Sequence, residues 1–149
     1  MKKKIAVFAI VGVLLFGGIS PAFAGNVDLM LLMNPNGTNE ETPPNQKVDN
    51  EGRWFVTPRT SFDGVASDWH VGEKVYFRAK LSGGAVVSDT IELIRGSYGY
   101  NGFPGAYGQT SYQWYWSSTT VGANTWIRML GHTTNDEFGW LRLAVKWCS

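Results

Sequence analysis

The chain has 149 residues, 44% hydrophobic, 14% aromatic and 17% charged, with a formal charge of +1 at pH 7. That is one domain's worth of core, and a lone cysteine, Cys148, excludes an internal disulfide, haem attachment and a cysteine-built zinc site. Without Lys2, Lys3 and Lys4, 10 basic residues face 12 acidic ones, a charge of −2 with no basic cluster, which argues against nucleic acid as a partner.

Those three lysines open the chain and precede an uncharged apolar run over residues 5–19. Ser20-Pro21 ends the run, and Ala22-Phe23-Ala24 offers the small side chains of a cleavage site. The pattern predicts a secretory signal peptide over residues 1–24, shorter in its apolar part than the roughly 20 residues of a permanent span. The expectation is export to the periplasm, cell surface or medium, with no membrane span after cleavage. In that oxidising setting Cys148 reads as a free thiol at a frayed end or as an intermolecular disulfide linking a homo-oligomer.

Residues 27–33 (V-D-L-M-L-L-M) form an isolated apolar segment with Val27, Leu29, Leu31 and Met33 on one side. It reads as the domain's own first strand or as a strand exchanged between copies. The following stretch to Gly52, dense in Asn, Pro, Thr and Glu, reads as a solvated linker, so residues 25–52 are set apart from a domain over residues 53–149.

Within that domain the period is two. Residues 54–57 give a first strand; residues 74–81 alternate Val75, Phe77, Ala79 and Leu81 with Lys74, Tyr76, Arg78 and Lys80. Residues 86–95 follow with Val87, Ile91 and Leu93 on one face. Residues 111–116, 125–130 and 140–147 complete the set, and the last two are expected to pair as a hairpin. No segment after residue 24 has a helical period. Short strands broken by Gly and Asn predict an all-β protein, an antiparallel immunoglobulin-like β-sandwich behind a cleaved leader and a polar linker.

Three stretches carry a family resemblance: V-D-L at 27–29, W-H-V-G-E-K-V-Y-F at 69–77 and G-A-N-T-W-I-R at 122–128. Together they resemble bacterial extracellular immunoglobulin-like modules of the adhesion-related CARDB type, over about residues 53–147. The acidic, Asn-rich ending of that family is represented by Asn135-Asp136-Glu137 alone. The resemblance implies an extracellular, non-catalytic role and transfers no functional residues.

For ligand binding, residues 96–110 stand out: glycine recurs every third position, with Tyr98, Tyr100, Phe103 and Tyr107 between. Tyrosines on glycine joints suit a recognition loop; the same rings could instead fold back as a lid. In the expected hairpin, Trp126 lies opposite Arg142 and Trp140 opposite Arg128, giving an aromatic platform for sugar rings or a self-satisfied cation–π ladder. Large rings default to the core, so Tyr112, Trp114 and Trp116, along with Trp54 and Trp147, are expected inside, while Trp69 fits either way. Catalysis has little support: His70 and His132 share no metal-ligand spacing, and Asn135, Asp136 and Glu137 lack the oxygen density of a calcium loop. The functional expectation is a secreted, non-enzymatic protein without cofactor that recognises a surface protein or glycan. The alternatives are a subunit of an extracellular polymer, with residues 27–33 exchanged, and a carbohydrate-binding module.

Overall fold

Alternation sorts each long strand into a dry row and a wet row, and the dry rows meet in one core. The computed structural model describes residues 25–96, 106–134 and 139–149. The predicted leader, the loop residues Tyr98, Tyr100 and Phe103, and Asn135, Asp136 and Glu137 lie outside the described residues. Among those described, the strands in chain order are β1 (Asn26–Met33), β2 (Glu40–Glu41), β3 (Asn45–Gln46), β4 (Arg53–Arg59), β5 (Ser61–Phe62) and β6 (Val65–Ala66). Then come β7 (Lys74–Leu81), β8 (Ile91–Ile94), β9 (Ser111–Trp114), β10 (Trp126–Thr133) and β11 (Leu141–Cys148). No helix occurs among them.

One sheet runs β1-β11-β4-β9 and the other β2-β10-β7-β8, with β3 also on β10; every pair is antiparallel. β5 and β6 form a separate hairpin around Asp63-Gly64, whose φ values of 49° and 75° are those of a tight type I′ turn. With that hairpin set aside and β2–β3 taken as one interrupted edge strand, the pairing is nested. The first strand meets the last, the second the next to last, and so inward to β7 against β8. That wrapping is a jelly roll. The expected sandwich of antiparallel sheets is present, but an immunoglobulin order, with the first strand beside the second, is not the order observed.

The core takes Leu31 and Met33 from β1, Trp54 and Val56 from β4, and Leu141, Leu143, Val145 and Trp147 from β11. The facing sheet contributes Val75, Phe77, Ala79, Leu93, Ile127 and Met129. The sheets come close at Gly131, where a Cβ would lie 3.1 Å from Leu31 Cδ1 and 3.2 Å from Phe77 Cε1. The basic wet row of β7 is partly neutralised in place: Lys80 pairs with Glu41 at 2.5 Å and Lys74 with Glu92 at 3.2 Å.

Three expectations are corrected. β10 and β11 are not a hairpin but lie in different sheets: Arg128 stands opposite Lys80, and Arg142 opposite Leu32. Residues 34–52 are not simply a linker, because Glu40–Glu41 and Asn45–Gln46 pair with β10 and bury Thr42, Asn45 and Lys47. Their polarity is met in part across the sheet: Thr42 Oγ1 accepts the Met129 N–H at 2.9 Å, and Asn45 Nδ2 donates to the Gly25 carbonyl at 2.7 Å, while Asn45 Oδ1 has no hydrogen-bond partner among the described residues. Nor is Cys148 at a frayed end, since it is flanked by Asn26 and Phe55 on neighbouring strands.

The core assignment predicts that Leu143→Ala costs about 2–5 kcal/mol, whereas Leu32→Ala, at a half-exposed site on β1, stays within about 0.5 kcal/mol; urea unfolding compares them. A pH effect follows from His132, which stacks on Tyr76 with ring centroids 4.9 Å apart. Burial, and secondarily Arg78, holds its pKa below the ordinary 6.5. As pH falls through 6.5 the unfolded chain takes the proton first, so this contribution to stability declines with acidification. His132→Gln is expected to flatten the urea midpoint between pH 7 and the acidic side of that window.

Candidate ligand-binding face

Trp54 and Val56 point into the core, so their neighbours Arg53, Phe55, Thr57 and Arg59 line the opposite face of β4. β9 pairs with β4 in the register Trp54↔Gln113 and Val56↔Ser111. That register puts Ser111 and Gln113 on the side of the sheet where Trp54 and Val56 are buried. Tyr112 and Trp114 therefore turn outward and are 55% and 56% exposed. This corrects the expectation that Tyr112, Trp114 and Trp116 are core; Trp116 is exposed too, its Nε1 donating to Asp89 Oδ1 at 2.9 Å. Tyr115 is the buried ring of that segment.

Outward side chains pair rung by rung along β4 and β9. Arg53 stands opposite Trp114 and Phe55 opposite Tyr112. Beyond them the hydroxyls of Thr57 and Thr110 meet at 2.8 Å. The Arg53 guanidinium lies 5.1 Å from the Phe55 ring centroid, 5.7 Å from Tyr112 and 5.9 Å from Trp114. Its Nε donates to Glu51 Oε2 at 3.0 Å, which holds the fork among three rings. Tyr112 meets Trp114 edge-on at 6.4 Å and Phe55 at 6.2 Å.

Next to this cluster lies an open depression of about 350 Å³ lined by Phe55, Thr57, Arg59, Thr110, Lys146 and Cys148 among others. The Gly108 N–H donates to the Pro58 carbonyl at 2.7 Å, fastening the loop that forms one wall. A neighbouring depression of about 340 Å³ shares Arg59 and Gly108 and includes Tyr107. The face thus offers exposed π surfaces, hydroxyls and cations beside two open depressions. Among the described residues no three His, Cys, Asp or Glu side chains converge.

The residues singled out in the sequence fall elsewhere. Tyr107 packs inward, edge-on to the buried Trp69 at 5.9 Å and beneath Arg95 at 4.6 Å. Trp69 Nε1 donates to the Glu73 carbonyl at 3.0 Å, so Trp69 belongs to the core. Trp126 and Trp140 are both solvent-exposed, but with β10 and β11 in different sheets they build no common platform. Residues 27–33 pair with β11 of their own chain across the whole strand. The signal that could have found Tyr112 and Trp114 is the inward commitment of Trp54, which becomes legible only once the β4–β9 register is known. Comparison with protein-family models, curated proteins and solved structures gives no match for this chain.

Cys148 borders the depression half-buried, and burial pushes its thiol pKa up, with Asp49 acting in the same direction. The thiol is therefore protonated at neutral pH and a poor nucleophile. Iodoacetamide at pH 8 should alkylate it several-fold more slowly in the folded protein than in urea; equal rates would contradict this placement.

Proposed function

We propose that the chain is an exported, non-catalytic β-sandwich that binds glycan on the outer face of β4 and β9. The observation carrying this reading is the outward pair Tyr112 and Trp114, each more than half exposed and braced by Arg53. Rings of this size bury on the order of 150–250 Å² each when covered, so leaving them in water forgoes several kcal/mol at about 25 cal/mol per Å². A sugar ring repays that cost, because its C–H face stacks on the indole and phenol while its hydroxyls meet the exposed Thr110 hydroxyl beside them. The jelly-roll wrapping supports the reading by analogy alone, since lectin domains are among its users. Recognition is thereby assigned to the sheet face rather than to the Tyr98–Tyr100–Phe103 loop, whose flank at Gly108 and Thr110 borders it.

Tryptophan emission is the direct readout. Titration with a panel of neutral and acidic tetrasaccharides should shift it for at least one member, and Trp114→Ala or Tyr112→Ala should weaken that binding about tenfold or more, as expected for loss of a stacking anchor. Folding of both variants is checked by the urea midpoint. A flat response across the panel, or full binding by the doubly substituted protein, would overturn the proposal.

A further inference from the structure

The face is not uniform from end to end. Along β4 the outward residues run Arg53, Phe55, Thr57, Arg59, a distance of about 20 Å at strand rise. One end is aromatic, with Trp114 and Tyr112 beside Arg53 and Phe55. At the other, Arg59 on β4 and Lys146 on β11 line the same depression, Lys146 opposite Thr57 and Arg59 opposite Ala144. That register sets the two cations diagonally across adjacent strands, about 7–8 Å apart at their origins.

Their charges are weakly held. Lys146 forms no ion pair among the described residues. Among the described residues Arg59 Nε approaches one carboxylate, Asp28 Oδ1 at 3.7 Å, and both side chains are about half exposed, at 49% and 45%. A pair of that length and exposure holds weakly against solvent, so an incoming carboxylate can displace it. At the aromatic end the Arg53 guanidinium is committed to Glu51 and to three rings. Unclaimed positive charge therefore sits at one end and stacking surface at the other.

Resting on the glycan reading above, we infer that the ligand is a linear acidic glycan lying along β4, its rings stacked on Trp114 and Tyr112 and a carboxylate bound between Arg59 and Lys146. A span of about 20 Å takes several pyranose rings in a row, which favours an internal stretch of polymer over a single terminal sugar. Asp28, opposite Lys146 on β1 and beside Arg59, competes with the carboxylate for the same cations. The chain thus carries its own antagonist at that end.

The test uses the full exported chain with tetramers of galacturonate, mannuronate and guluronate, each as free acid and as methyl ester, followed by tryptophan emission in low salt. At least one free acid should bind about tenfold more tightly than its ester, with the difference shrinking as salt rises. Lys146→Ala and Arg59→Gln should remove the preference, bringing acid binding down to that of the ester on the same variant, and Asp28→Asn should strengthen binding of the acid. If the esters or neutral tetramers bind as well as the acids, the acidic assignment falls and the glycan reading survives. If Asp28→Asn weakens acid binding, the cationic end is misassigned. If no saccharide binds at all, the glycan reading itself falls.

Discussion

Register couples the core of this protein to its surface. Trp54, Val56, Leu143, Val145 and Trp147 are committed to the dry side of their sheet, and because side chains alternate, that commitment dictates what faces water. A slip of one residue between β4 and β9 would drive Arg53 and Phe55 inward and expose Trp54. No such slip is tolerable, since it would place a guanidinium in the core without a partner. The aromatic row outside is therefore held as firmly as the apolar row inside. A surface mounted this way is preorganised by the same packing that stabilises the domain.

Local pattern was legible in the sequence; partnership was not. The alternation at residues 74–81 and 141–147 fixed which side chains are dry, and the structure buries Val75, Phe77, Ala79, Leu141, Leu143, Val145 and Trp147 accordingly. Alternation gives a face without naming a neighbour, so β10 and β11, close in sequence, were expected together although they part to opposite sheets. The tryptophans of residues 114–116 misled for a related reason. Hydrophobicity alone places a ring inside, but the register sets Ser111 and Gln113, not the rings of Tyr112 and Trp114, on the side of the inward Val56 and Trp54. The polar stretch before residue 52 hid its strands because backbone pairing and the Thr42 hydroxyl hold them to β10, rather than the burial of an apolar row.

Polar groups close the ends of the sandwich. Lys47 is buried to 1% exposure, its Nζ 2.5 Å from Asp49 Oδ1 and 5.6 Å from the Tyr115 ring centroid. The hydrogen bond from Lys47 is the main reason the Asp49 carboxyl titrates below its ordinary value. Glu73, also buried, accepts the His70 N–H at 3.0 Å and so shapes the turn before β7. In a sequence such residues resemble solvated charge; here each fastens a loop. The V-G-E stretch at 71–73 serves the fold in this way.

The nested pairing also has a temporal side. β11, the last strand, occupies the interior of its sheet, with β1 from the opposite end of the chain on one flank and β4 on the other. A nascent polypeptide lacking residues 141–148 has no means of bringing β1 to β4, so emergence from the ribosome yields unjoined edges and an unfilled interior. Closure must await synthesis of residues 141–148 and then proceed through contacts far apart in sequence, a slow class of folding event. Until then the chain stays open and threadable.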